Sequence, residues 1–245
     1  MIAIDGPSAS GKGTVAQRVA ARLGYHYLDS GAIYRAAAVA AVRAGIPLDD
    51  PLAVEAALAR CAAAMALRFE GERVLLGGVD VTDAVRSESG GRDASRIAAV
   101  PALRSALLMR QRDFRSAPGL VADGRDMATV VFPDASLKIF LTADVLERAR
   151  RRTAQVAFDG GRPESPKGLM ENENSATIRA PFGAVRAEVL ADLVERDRRD
   201  SARSTAPLKQ AADASLLDTT ALSIDSAVDT VVAWYLARAA STKRE

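Results

Sequence analysis

Met1-Ile2-Ala3-Ile4-Asp5-Gly6-Pro7-Ser8-Ala9-Ser10-Gly11-Lys12-Gly13-Thr14 opens the chain. A short apolar run feeds directly into a glycine-rich loop with one lysine and a hydroxyl residue, the sequence form of a P-loop. Glycines let successive backbone N–H groups turn inward and line an anion-binding concavity. The helix predicted from Lys12 to Leu23 aims its positive end at the same spot. Lys12 adds a point charge that can follow the β and γ phosphates. Gly6, Pro7, Ser8, Ala9, Ser10, Gly11, Lys12, Gly13 and Thr14 are therefore the candidate ATP-binding residues. Gly13 stands where this pattern usually places Ser or Thr, so the Mg²⁺-side hydroxyl role is expected of Thr14, directly or through water.

Outward from that loop, strand-like and helical stretches alternate. Tyr25–Leu28 reads as a strand, Gly31–Ala44 as a helix ended by Pro47, and Pro51–Ala63 as helical. Ala66–Glu70 and Arg73–Leu76, with Gly71 between them and Val79–Val81 after them, predict a small antiparallel sheet. Pro101–Arg115 is an arginine-rich amphipathic helix. Leu120–Ala122 and Leu137–Leu141 are strands, and a helix runs from Asp144 to about Gln155. The stretch from Phe158 to Ala180 is rich in breakers and predicts a mobile loop. A helix over Phe182–Asp200, a strand at Ser215–Leu217 and a closing helix from an N-cap at Ser223 complete the chain. Alternating strands and helices imply an α/β fold with a mostly parallel, doubly wound sheet.

The 245 residues suffice for one α/β domain. With a net charge of +2, bulk charge gives no reason to expect a nucleic-acid partner. No apolar run is long enough to cross a bilayer, and the loop at residue 6 leaves no room for a signal peptide. The lone Cys61 is expected as a small core residue. A cytoplasmic, monomeric protein is the expectation. Only 5 of the 33 basic residues are lysine, and arginine suits bidentate phosphate recognition.

Four polar clusters qualify the loop. Leu120-Val121-Ala122-Asp123 ends a strand in an acid, a position from which P-loop proteins often hold Mg²⁺. Gly124-Arg125-Asp126 follows at the carboxyl edge of the sheet, where ligands bind in open α/β folds. Leu28-Asp29-Ser30-Gly31-Ala32-Ile33-Tyr34-Arg35 forms a second strand-to-helix pocket, although Asp29 or Ser30 could simply cap the helix. Arg196, Asp200 and Arg203 share one helix face, as ordinary surface ion pairs also would. Glu147-Arg148-Ala149-Arg150-Arg151-Arg152 precedes the breaker-rich stretch, and arginines on a closing lid could stabilise a phosphoryl group in transfer.

Gly-Lys-Gly-Thr resembles the ending of this loop in nucleoside monophosphate kinases. Gly-Pro-Ser-Ala-Ser-Gly-Lys-Gly-Thr, Leu-Asp-Ser-Gly-Ala-Ile-Tyr-Arg, Ala-Asp-Gly-Arg-Asp-Met and Glu-Arg-Asp-x-x-Asp-x-x-Arg, in that order, resemble the bacterial cytidylate kinases over nearly the whole chain. The resemblance implies a single P-loop domain over 1–245: a three-layer α/β/α core, an acceptor-binding insertion at 31–100 and a lid at 148–195. It implies that Arg35, Arg125 and Arg196 grip the acceptor phosphate and that Ser30, Arg104 and Asp126 read cytosine. Asp200 and Arg203 would hold the ribose side. Arg104 competes for its role with Arg110, Arg112 and Arg115 on the same helix. Lys12, Arg125, Arg196, Arg148 and Arg152 are the candidate catalytic residues, and Thr14 and Asp123 the candidate Mg²⁺ residues. Between Arg152 and Glu195 the chain reads as longer than that family usually is.

The implied reaction moves the γ-phosphoryl of ATP to CMP or dCMP. A phosphate oxygen, already ionised near neutral pH, needs no strong general base, and His26 is expected to pack rather than react. Two other readings remain at this level: a P-loop kinase for a different small acceptor, and an ATP-dependent binding module without transfer.

Overall fold

The computed structural model describes residues 1–71, 73–159, 177–180 and 183–242. Five parallel strands form the central sheet, in the order β10 (Ser215–Asp218), β7 (Leu137–Thr142), β1 (Ile2–Asp5), β6 (Leu120–Gly124), β2 (His26–Asp29). Period-two alternation along these strands feeds two cores. Ile2, Ile4, Val121, Ile139 and Leu217 face one side and pack on α1 (Lys12–Leu23) and α9 (Ile224–Thr242). Ala3, Leu28, Leu120 and Ala122 face the other and pack on α2 (Ser30–Arg43), α3 (Glu55–Ala64), α5 (Glu88–Ile97) and α6 (Pro101–Arg112). The sheet is thus sandwiched between two helical layers, the doubly wound α/β arrangement.

The expected small sheet is present, with β3 (Leu67–Glu70), β4 (Arg73–Leu76) and β5 (Val79–Asp80) antiparallel. It lies against α2 and the short α4 (Thr82–Arg86) through Ala32, Ala36, Val74, Val81 and Val85. Cys61 is half-buried beside the larger core. Ser223 caps α9, its Oγ accepting from the Ser226 N–H at 3.1 Å.

Three segments differ from expectation. The helix predicted from Phe182 begins only at Ala187 (α8, Ala187–Ala202), because Gly183–Arg186 (β9) pairs antiparallel with Thr177–Ala180 (β8). Most of the expected mobile loop at 158–180 lies outside the described residues, while α7 (Val145–Asp159) runs past Gln155. Helix α5 was not expected, since Gly90-Gly91 lowers helix propensity. Packing overrides propensity there: a Cβ at Gly90 would sit 2.4 Å from the Ala84 carbonyl oxygen.

In-register parallel pairing aligns the carboxyl ends of three strands. Asp5 lies opposite Gly124, and Asp29 opposite Asp123. That edge carries every polar cluster singled out above except those contributed by α6, α7 and α8, which pack over it.

Candidate active site

The donor half is built by β1, the loop 6–11 and the first turn of α1. Gly6 is required sterically: a Cβ there would stand 1.9 Å from the Leu141 carbonyl oxygen. Gly11, with φ 91° and ψ 0°, supplies the left-handed turn that starts α1. Ser10 is buried and its hydroxyl has no partner. Lys12 holds its Nζ 4.0 Å from Asp123, with its side chain only 13% exposed. Burial, reinforced by Arg125, holds the Lys12 ammonium well below the usual lysine range. Burial, reinforced by Asp29, pushes the Asp123 carboxyl up. The Tyr27 hydroxyl donates to Asp123 at 2.8 Å and fixes its orientation. Thr14 is exposed on the first turn of α1. Among the described residues no group of three or more His, Cys, Asp or Glu could hold a metal. A single buried carboxylate beside a phosphate loop nevertheless suits Mg²⁺, which commonly takes one or two carboxylates and completes its shell with phosphates and water.

Arg148 and Arg152 differ in what they touch. Arg148 is buried at the start of α7; it donates to the Ser8 carbonyl at 3.2 Å and pairs with Asp197 at 2.7 Å. It braces the loop from behind. Arg151, which the sequence reading passed over, does the same at Ser10, donating to its carbonyl at 2.9 Å and to the Thr219 carbonyl at 2.6 Å. Arg152 reaches across to Glu88 on α5 at 3.6 Å.

Two candidate acceptor subsites lie beside the donor half. The first is a buried polar network linking α2, α6 and the segment after β6. Arg104 donates to the Asp126 carboxylate and, at 3.2 Å, to the Ala98 carbonyl, and its guanidinium lies 5.5 Å from the Tyr34 ring centroid. The other arginines of that helix are engaged elsewhere. Arg110 binds the Met65 carbonyl at 3.0 Å, Arg112 the Val131 carbonyl at 3.0 Å, and Arg115 pairs with Asp134 at 2.6 Å. Of the four, only Arg104 meets the predicted partner. Ser30 donates to Gln111 at 2.8 Å. Gln111 and Tyr34 were not singled out in the sequence; the faint signal was that Gln111 follows Arg104 at i+7 and Tyr34 follows Ser30 at i+4. Ser95, on α5, is buried with its hydroxyl unpartnered.

The second subsite is a cluster of guanidiniums. Arg125 donates to Asp200 at 2.9 Å and Arg203 pairs with the other carboxylate oxygen. Burial would raise the Asp200 carboxyl, but Arg125, Arg203 and Arg196 outweigh it and hold it below the usual range. Arg35 pairs with Asp29 at 2.7 Å, and that same Asp29 caps α2 by accepting from the Ala32 N–H at 2.9 Å. Both readings of Asp29 thus hold together. The Nε atoms of Arg35, Arg196 and Arg203 are buried without hydrogen-bond partners. Burial, with Arg125 next, pulls Arg196 down to about 10; Arg35 and Arg152 add to the repulsion. Several desolvated cations with unmet N–H donors, facing one another, suit an anion held among them.

Asp5 joins the two halves. Its carboxylate accepts from the Met127 and Ala128 N–H groups, both at 2.8 Å, and so fixes the start of the π-helical turn Met127–Val131 directly after Arg125-Asp126. Burial pushes this carboxyl up to about 7, from 3.8. The folded protein therefore keeps a proton that the unfolded chain loses between about pH 4 and 7. On this account stability is unpenalised below pH 4, falls by at most ~1.4 kcal/mol per pH unit through the window, and stays at its lower value above pH 7. Asp5→Asn should lack that slope. In urea unfolding from pH 5 to 8, the stability difference should move against the wild type as pH rises; a difference independent of pH would contradict this role for Asp5.

His26, expected to pack, is exposed with its Nε2 2.9 Å from the Ala117 carbonyl. Among the described residues no helix is long and apolar enough to cross a membrane.

The family model for cytidylate kinase matches residues 2–174 and 177–236. A cytidylate kinase of Chromobacterium violaceum is 52% identical over 241 residues, covering 98% of this chain and 97% of that one. One of Paraburkholderia phymatum is 51% identical over 237 residues, covering 97% and 93%. One of Pseudomonas paraeruginosa is 50% identical over 238 residues, covering 95% and 93%. The match spans the phosphate loop and both acceptor subsites alike, and the chain belongs to the cytidylate kinase family.

Proposed function

We propose that this protein transfers the γ-phosphoryl group of ATP to CMP and dCMP, giving ADP and CDP or dCDP. One observation carries most of the weight: Asp123 faces Lys12 at 4.0 Å, and Arg125, two residues further on, is bonded to Asp200 of the guanidinium cluster at 2.9 Å. Two anion sites adjoin, as phosphoryl transfer between two phosphates requires.

Gly6 to Thr14 hold the donor triphosphate through backbone N–H groups and Lys12. Thr14 and Asp123 would hold Mg²⁺, directly or through water; that ion neutralises charge on the donor phosphates. Arg35, Arg125 and Arg196 orient the acceptor phosphate, and Asp200 and Arg203 face its ribose. Ser30, Arg104 and Asp126 read the base. Arg148 supports the donor loop through Ser8, and Arg152 stands at the acceptor side near Arg196. The acceptor oxygen is already anionic, so catalysis is positioning and charge neutralisation with no general base. In this reading residues 31–100 form the acceptor-binding insertion, 148–195 the lid that excludes water, and a monomer carries the whole site.

ADP formation from ATP with CMP, dCMP, UMP and AMP side by side tests the proposal. Stimulation by CMP and dCMP well above UMP and AMP is expected. Preference for another acceptor would give the first alternative, and ATP binding without acceptor-stimulated ADP release the second.

Asp126 provides a sharper test. One of its oxygens is taken by Arg104, and the other can accept from the cytosine N4 amino group, where uracil presents an acceptor instead. Asp126→Ala should narrow the CMP-over-UMP ratio of kcat/KM at least about tenfold, about 1.4 kcal/mol. It should also lower Tm, because Arg104 is left buried without its counter-ion. An unchanged ratio would remove Asp126 from base reading.

A further inference from the structure

We infer that Gln111 is a specificity-determining positioning residue, which sets the direction of the Ser30 hydroxyl and thereby makes Ser30 an acceptor toward the base. The inference rests on Ser30 reading cytosine, as proposed above.

The argument begins with Gln111 itself. It is 2% exposed, on the face of α6 that also carries Arg104. A buried amide must place both its donor and its acceptor. The Gln111 Nε2 donates to the Leu107 carbonyl at 3.3 Å. Leu107 offers only a carbonyl oxygen at this contact, so the opposite amide orientation would set two acceptors against each other. The Gln111 Oε1 must therefore face Ser30, and it accepts from the Ser30 hydroxyl at 2.8 Å. That commits the only proton of the Ser30 hydroxyl.

What remains on Ser30 for a ligand is lone pairs. An acceptor there matches a donor such as the exocyclic amine of cytosine and opposes the O4 oxygen of uracil. Asp126, also acceptor-only when ionised, presents the same polarity from the other side of the network. Without Gln111 the Ser30 hydroxyl could rotate and donate to O4, and rejection of uracil would lose one of its readers. A hydroxyl free to reverse its polarity is a poor discriminator, whereas one whose proton is fixed rejects the wrong base by leaving a buried acceptor unpaired.

The test uses kcat/KM for CMP and UMP in the intact protein, with Tm recorded for each variant. Gln111→Met, similar in shape and unable to accept strongly, should narrow the CMP-over-UMP ratio by about fivefold to tenfold, mostly through a lower KM for UMP, with KM for ATP unchanged. Gln111→Glu, kept protonated by burial and donating to the Leu107 carbonyl, still presents an oxygen to Ser30 and should keep the ratio within about threefold of wild type. It decides the matter even if Gln111→Met fails to fold, since a collapsed ratio in Gln111→Glu overturns the inference. Ser30→Ala should narrow the ratio, and adding Gln111→Met to it should narrow it no further, because the two act through one hydroxyl. A narrowed ratio in Ser30→Ala with an unchanged one in Gln111→Met overturns the role of Gln111 and leaves Ser30 in place. An unchanged ratio in Ser30→Ala removes Ser30 from base reading, and the inference with it.

Discussion

Lys12→Ala is expected to cut turnover with ATP and CMP by about a thousandfold or more, roughly 4 kcal/mol of transition-state stabilisation. Lys12 is the only cation contributed by the phosphate loop, at the first position of α1, where its charge adds to that of the helix N-terminus. The free protein holds this ammonium under strain: burial and Arg125 disfavour its charge, and Asp123 4.0 Å away only partly compensates. An incoming triphosphate supplies the missing counter-charge. Because the lysine is poorly compensated before ATP arrives, its removal should cost the fold little. Asp123 retains its bond from Tyr27, so Tm should stay within a few degrees of wild type. Coupled measurement of ADP release, with thermal melting alongside, checks both halves. Near-wild-type turnover would sink the phosphate-loop reading itself.

Arg196→Met should separate activity from stability. Arg196 meets Arg125, Arg35 and Arg152 in repulsion that Asp200 only partly offsets, its Nε has no hydrogen-bond partner among the described residues, and its pKa is pulled from 12.5 down to about 10. The sign follows: a base whose folded pKa is depressed destabilises the charged folded state throughout neutral pH, here by an order of 3 kcal/mol. Methionine keeps much of the side chain's packing and removes the charge, so Tm should hold or rise. Activity should move the other way. A desolvated guanidinium aimed at the acceptor phosphate acts where charge is being transferred, and kcat/KM for CMP should fall about a thousandfold. The upward shift in Tm that CMP gives the wild type should shrink in the variant. A kcat/KM within tenfold of wild type would show that Arg196 does not engage the acceptor. A gain in stability with loss of function is the pattern expected of a site built from mutually repelling charges.

How much was legible before the structure depended on how local each feature is. Helix α1 was read at its true limits, because apolar Val15, Ala16, Val19 and Ala20 recur at helical spacing after a left-handed glycine. The small sheet was read from Gly71 and Gly77-Gly78 bounding β-like runs. Helix α5 was not, because its stability comes from packing on α2 and α4 around glycines that a propensity argument counts against it. The resemblance pointed to Arg104, but the physical ground for preferring it to Arg110, Arg112 and Arg115 was beyond the sequence. All four look alike on a helix, and only the approach of Asp126 and Tyr34 from other elements separates the buried one from those that bind loop carbonyls. The same holds for Arg151, whose value lies in reaching Ser10 and Thr219 across the fold.

The sequence by itself determined the phosphate loop and, through its ordered motifs, the family. A phosphate cradle is a property of consecutive backbone N–H groups, so a contiguous stretch suffices to specify it. Tertiary structure alone decided how the candidate acceptor half is assembled, although the resemblance named its residues. Its residues are scattered between Ser30 and Arg203 on separate strands and helices, and their chemistry depends on which of them lose water. Burial confined Asp126 and Gln111 to a dry polar network, left the Arg196 Nε without a hydrogen-bond partner among the described residues, and made Asp5 a tie between β1 and the segment after β6. Burial is set by packing across the whole fold and is written in no single segment.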